Sequence, residues 1–235
     1  MKNLILLSFL VVGSASSGLA QTLIPRIGIS ISTLGSEQFV AEMDNEFSNK
    51  TGYTFGMGYN IPVTAVGHGM LSVQPEINFV QKGFKINAEG EFYFGELYYL
   101  LKTHQEYTLN YLEFPVPVKY EISSDKIGIA IYTGPYVGFA LGGKYTATAT
   151  RENEEVNEEF INAKGKIVFY DSTDPSELTL DHNVDYGLVA GISATLFHRI
   201  ILDARYSGSF ADLKHDEKSK NQVLQFSVGM PIRLK

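Results

Sequence analysis

Eight stretches of the chain alternate between apolar residues and small or polar ones with a period of two, the mark of a strand with one apolar face. The first runs from Pro25 through Arg26, Ile27, Gly28, Ile29, Ser30, Ile31 and Ser32. The others carry Tyr53, Phe55, Met57, Tyr59 and Ile61; Leu71, Val73, Ile77 and Phe79; Leu112, Phe114, Val116, Val118 and Tyr120; and Ile129, Ile131, Val137 and Phe139. The last three carry Tyr186, Leu188, Ala190, Ile192 and Leu196; Leu202, Ala204, Tyr206 and Phe210; and Leu224, Phe226, Val228, Met230, Ile232 and Leu234.

The opposite phase decides between two kinds of β structure. A soluble sandwich fills its polar phase with Lys, Glu and Thr, whereas here that phase holds Gly28, Gly56, Gly58, Gly128, Gly134, Gly138, Gly187, Gly191 and Gly229. A narrow eight-stranded barrel encloses only enough space for side chains, so small residues belong inside it. The pattern predicts an all-β protein, an eight-stranded antiparallel up-and-down transmembrane β-barrel with its apolar phase toward lipid. A soluble, lipocalin-like ligand carrier is the inverse assignment and requires an apolar lumen and a polar exterior.

The connections sort by parity. Short ones surround Gly67-His68-Gly69, Ser123 to Lys126 and His198-Arg199, and longer ones cover residues 35–50, 84–107, 143–182 and 211–221. Outer-membrane barrels alternate short periplasmic turns with long extracellular loops in this way. Pro75, Pro115, Pro117, Pro135 and Pro231 fall inside the predicted strands, where a closed barrel has no free edge for them. They predict bulges or shifted boundaries, and any open seam is expected between strands three and four.

At the N-terminus Lys2 precedes an apolar run from Leu4 to Val12, followed by small residues and by Gly18 and Ala20 at the positions a signal peptidase reads. The run is too short for a membrane helix, which needs about 20 apolar residues. Residues 1–20 are therefore expected to be a signal peptide cleaved after Ala20, leaving 21–235 as the barrel domain. The formal charge of −7 becomes −8 when Lys2 is removed, which argues against a nucleic-acid partner. With no cysteine there is no disulfide framework or thiolate metal site.

The segments Gln74-Pro75-Glu76 leading to Gln81-Lys82-Gly83, Tyr111-Leu112-Glu113-Phe114-Pro115, Gly134-Pro135-Tyr136-Val137-Gly138 and Asp185-Tyr186-Gly187-Leu188 with Gly191 resemble the eight-stranded outer-membrane β-barrel domain family that includes the PorT-like proteins. The resemblance covers nearly all of residues 21–235 and implies the fold and a Gram-negative outer-membrane location. It implies no activity, since one fold hosts many functions.

Nine charged residues share the inward phase: Arg26, Glu76, Lys82, Glu113, Lys119, Asp185, Asp203, Arg205 and Arg233. Charges removed from water need partners, so they are expected to cross-link the lumen into a closed polar plug, with Asp203 and Arg233 as the first pair. Arg26, Lys119, Asp203 and Arg233 are expected near the periplasmic end, and Glu76, Glu113 and Arg205 nearer the middle. An ion or proton path is the functional alternative, and a small-solute porin its fullest form.

The segment from Gly143 to His182 holds four basic residues against nine acidic ones, a balance of −5, but lacks the spacing of a calcium loop. Phe92-Tyr93-Phe94 and Tyr98-Tyr99-Leu100-Leu101 are expected to pack against the outer rim of the barrel. His104, His182 and Asp185 sit at heights where some barrels carry catalytic groups, yet no nucleophile motif accompanies them. The expectation is a structural or interaction protein without enzymatic activity, cofactor or metal. Its expected partners are outer-membrane lipid and lipopolysaccharide, the barrel-insertion machinery, and an envelope or secretion partner reached through the extracellular loops.

Overall fold

Alternation with one apolar phase produces strands in the computed structural model, which describes residues 21–36, 44–94, 97–152, 157–169, 173–174, 176–180, 182–214 and 217–234. The expected signal peptide, residues 1–20, lies outside the described residues. The strands are β1 (Thr22–Ser36), β2 (Asp44–Val66), β3 (Gly69–Val73), β4 (Glu76–Phe94), β5 (Leu97–Pro115), β6 (Val118–Ser123) and β7 (Ile127–Glu152). They continue with β8 (Asn157–Val168), β9 (Glu177–Thr179), β10 (Val184–Leu196), β11 (Ile200–Lys214), β12 (Glu217–Gly229) and β13 (Ile232–Arg233).

Three barrel staves are each broken into two strands, β3/β4, β5/β6 and β12/β13, so the ring is β1, β2, β3/β4, β5/β6, β7, β10, β11 and β12/β13. Each stave pairs antiparallel with the next. Pairing of β1 with β12, Gly28 beside Ser227, closes the circle. Eight staves in sequential order make the up-and-down barrel that the alternation predicts.

The three breaks fall at prolines. Gln74-Pro75, Val116-Pro117 and Met230-Pro231 interrupt the staves because proline has no N–H to give the ladder. Proline carbonyls still accept across the gaps: Tyr59 N donates to Pro75 O at 2.9 Å, Gln74 N to Pro117 O at 2.9 Å and Val116 N to Pro135 O at 3.0 Å. Between the third and fourth staves the ladder runs to Asn78 beside Glu113 and resumes at Val73 beside Val118. The expected weak seam is a local interruption, and the wall stays closed.

The phases face as the glycine count implies. Ile27, Phe55, Ile131, Tyr186, Leu202 and Phe226 are exposed on the outer wall, while Ser30, Ser32, Asn78, Ser207 and Gln225 are buried inside. An apolar exterior around a polar interior is the arrangement that the soluble-carrier alternative excludes.

The connections differ from the predicted loops. Thr22 of β1, Arg233 of β13 and the turns β2–β3, β6–β7 and β10–β11 gather at one end of the barrel. At the opposite end, residues 84–107 are continuous strand up to Phe94 and from Leu97, and most of 211–221 is strand as well. Within 143–182, β7 continues to Glu152 and pairs with β8, which takes the edge that β10 leaves after Val184. A sheet of β2, β4, β5, β7 and β8 thus rises beyond the ring, with β9 parallel to β8. Register shifts at Asn49/Thr54, Asn110/Tyr111 and Ala149/Thr150 switch the outward phase as the strands climb. The expected packing of the aromatic cluster falls on side chains of residues 92–99, which lie outside the described residues.

Candidate functional site

The inward positions of the staves stack charge in layers. In the lower layer Glu76, fully buried, accepts two parallel bonds from Arg205, Nη1 to Oε2 at 2.7 Å and Nη2 to Oε1 at 2.9 Å. Arg26 approaches the same carboxylate at 3.1 Å. Gln74 Nε2 donates to Oε1 at 2.7 Å and Asn78 Nδ2 to Oε2 at 2.8 Å. Arg205 also donates from Nε to the Tyr132 hydroxyl at 3.1 Å and stacks over that ring, and Tyr132 donates to Asp203 Oδ2 at 2.7 Å. Side chains from β1, β4, β7 and β11 therefore meet across the lumen.

The upper layer centres on Lys82, whose Nζ lies 2.6 Å from Glu113 Oε1 and 2.6 Å from Asp185 Oδ2. Ser209 Oγ donates to Asp185 Oδ1 at 2.5 Å and Tyr136 OH does so at 3.3 Å. The rings of Tyr111 and Tyr136 flank the ammonium, their centroids 4.7 and 5.2 Å away. At the terminal end Lys119 Nζ meets Glu121 Oε2 at 2.6 Å.

Above the upper layer the inward positions turn apolar. Leu34, Phe84, Ile86, Leu109, Tyr111, Ile167 and Leu180 form one buried cluster, with Phe169 and Leu178 packed against it. Because Leu109 and Phe84 are the next inward positions beyond Tyr111 and Lys82, this cluster caps the ionic layers at the raised end. Its β8 and β9 side is held by Lys166 N donating to Ser176 O at 3.1 Å and Leu180 N to Val168 O at 2.9 Å.

Of the nine predicted lumen residues, eight occupy these layers. Arg233 does not: it is exposed on β13 beside Thr22. The expected Asp203–Arg233 pair is not made, because Asp203 neighbours Ser227, and Arg233 lies six residues further along, past the Met230-Pro231 break. At about 3.3 Å per residue that is roughly 20 Å along the stave. Glu121, Gln74, Asn78, Tyr132, Tyr136 and Ser209 also belong to the layers; their parity with Lys119, Glu76, Gly134 and Arg205 was the signal that marks them.

His104, His182 and Asp185 do not form a unit. Asp185 is buried in the lumen on Lys82 and Ser209, His104 contacts Asn87 Oδ1 at 2.6 Å on the raised sheet, and His182 is exposed. Among the described residues no group of three or more His, Asp or Glu side chains is placed to hold a metal ion.

On the outer face of the raised sheet Glu106 takes a hydrogen bond from Lys50 and lies 3.7 Å from Lys85, and the Lys50 bond chiefly holds its carboxyl below the ordinary 4.5. A lowered folded-state value stabilises the fold above pH about 4.5 and loses that contribution as pH falls through the lowered value. Protection factors of the β2–β4–β5 amides above the barrel, taken relative to intrinsic exchange at each pH, are expected to fall below pH 4.5 by an amount worth at most about 1 kcal/mol. In Glu106→Gln that part of the pH dependence disappears.

A model of the outer membrane protein beta-barrel domain family matches residues 20–215. No curated protein matches the chain. Among solved structures the chain is similar to Ail, the attachment invasion locus protein of Yersinia pestis, at 11% identity and a TM-score of 0.38, covering 92% of this chain and 100% of that one. It is similar to the outer membrane enzyme PagL at 13% identity and a TM-score of 0.41, covering 88% and 99%. It is also similar to the N-terminal β-barrel domain of OprF of Pseudomonas aeruginosa at 10% identity and a TM-score of 0.29, covering 91% and 100%.

Proposed function

From the premise that this chain belongs to the outer membrane protein beta-barrel domain family, we propose that it is a closed, non-catalytic barrel that serves as a structural or interaction protein through its raised outer sheet. In this reading the chain ends and short turns face the periplasm, the raised sheet faces outward, and residues 1–20 are removed on export. The observation that carries the reading is the lumen: Arg205, Glu76 and Arg26 tie one layer across the barrel, and Lys82 ties a second to Glu113 and Asp185. An apolar cluster lies above both. A conducting pore needs a continuous wet path, and in this reading the two bridged layers under the apolar cluster block it.

The raised sheet is the surface this fold offers to other molecules. It carries Glu89, Glu91, Glu152 and Glu159 in its upper part, and strand edges of this kind are common docking elements for partner chains. An envelope or secretion partner engaging that acidic surface, with lipid and the insertion machinery as the barrel's generic contacts, is the form of interaction proposed.

Recording from planar bilayers tests the closed lumen. The purified protein is expected to give no steady openings. Sustained large conductance by the unmodified protein contradicts the plug and supports the channel alternative.

A further inference from the structure

The outer face of the raised sheet changes sign with height. Leu141 is the last exposed apolar residue of β7, and the bulge that leaves it without a partner on β5 brings Lys144 to the outer face immediately beyond it. Lys144 stands directly opposite Lys166 of β8, with Lys164 at the next outward position, and all three are exposed. Across the sheet at similar height, Lys50 and Lys85 bracket Glu106.

Among the described residues, the carboxylates near this band are Glu106, Asp174 and Glu177. Asp174 accepts from Ser176 N at 2.9 Å and Ser176 Oγ at 2.8 Å and is drawn further by Lys166. Glu177 is the neighbour of Lys166 on β9. Among the described residues, five lysines against three carboxylates leave +2. Further up on the same face, the described Glu89, Glu91, Glu152 and Glu159 against Lys102 give −3. Like charges directly opposite each other weaken a sheet, so the Lys144–Lys166 pair favours an anion between its ammonium groups.

Beneath this band the wall is apolar, with Phe114 and Phe139 edge to face at 6.2 Å. A free anion gains nothing from that wall, whereas a lipid places its phosphate on the lysines and its acyl chains below them. We propose that Lys144 and Lys166, supported by Lys164, form a docking surface for the phosphate headgroup of an outer-leaflet lipid. The proposal rests on the membrane-barrel reading above and supplies the chemistry of one contact.

Native mass spectrometry of the folded protein in detergent micelles containing equal phosphatidic acid and phosphatidylcholine of the same chains tests it. A lysine near an anionic surface is worth roughly fivefold in binding, so the wild type is expected to retain phosphatidic acid at least tenfold over phosphatidylcholine. Lys144→Gln with Lys166→Gln lowers that preference at least fivefold, and Lys102→Gln, higher on the sheet and bridged to Glu152 at 2.7 Å, leaves it intact. In phosphatidylcholine alone the double variant unfolds no more readily than the wild type, because a repulsion has been removed. Equal retention of both lipids by the wild type, or an unchanged preference in the double variant, overturns the proposal. Displacement of phosphatidic acid by 10 mM inorganic phosphate assigns the site to free anions and overturns it too. Unheated samples that migrate on denaturing gels like heated ones overturn the barrel reading itself.

Discussion

Lys82→Met is expected to destabilise the barrel by about 3–5 kcal/mol, the cost of removing one partner from a buried ion pair. Methionine fills nearly the same volume, so the loss is electrostatic and creates no cavity. Glu113 and Asp185 both rest on Lys82 Nζ at 2.6 Å, and all three side chains are almost wholly buried. Asp185 keeps the Ser209 and Tyr136 hydroxyls when the lysine goes, but Glu113 Oε1 has no donor other than Lys82 Nζ among the described residues. Glu113 is therefore the group whose exposure to an apolar surrounding drives the effect. Denaturant unfolding from lipid vesicles, followed by the shift in gel mobility, measures it. Adding Glu113→Gln and Asp185→Asn to Lys82→Met is expected to recover at least half of the loss, because no uncompensated charge then remains. A change below about 1 kcal/mol in Lys82→Met means that water reaches the layer, and the closed lumen fails with it.

Both ionic layers were legible from parity alone. A strand puts alternate residues on opposite faces without exception while it stays regular, so Glu76, Lys82, Glu113, Asp185 and Arg205 follow once the glycine-rich phase is turned inward. Parity fails where the ladder does. The Met230-Pro231 break separates Arg233 from the staves its phase assigns it to. The raised strands were hidden for a related reason. Past Gly83 and Leu141 no lipid constrains the outer face, so Lys85, Glu106 and Lys144 replace apolar residues and the bulges shift the phase. A strand with polar residues outside and Phe84, Leu109 or Tyr145 inside reads as a loop in a pattern tuned to lipid. The cap shares this origin: its members come from β1, β4, β5, β8 and the stretch after β9, and no local period joins Leu34 to Ile167 or Leu180.

The lower layer gives the second large effect, and its asymmetry makes the expectation specific. Glu76→Leu strands two guanidinium groups at once and is expected to cost about 3–5 kcal/mol. Arg205 retains Tyr132 at 3.1 Å and a distant Asp203 at 4.0 Å, while Arg26, slightly exposed, reaches water more easily. Arg205→Met leaves Glu76 far better served, with Arg26 at 3.1 Å, Gln74 at 2.7 Å and Asn78 at 2.8 Å still in place. Its expected cost is smaller, about 2–3 kcal/mol. In the double variant Arg205 is no longer there to be left unpaired by the loss of Glu76. The two costs then overlap, and the double variant is expected to be less destabilised than the sum of the singles by at least about 1.5 kcal/mol. The ordering carries the physics: a carboxylate shared by two arginines is the keystone, and each arginine is a support. Should Arg205→Met prove the more damaging single substitution, the guanidinium has a role in the lumen beyond holding Glu76, and its bonds to Tyr132 become the place to look.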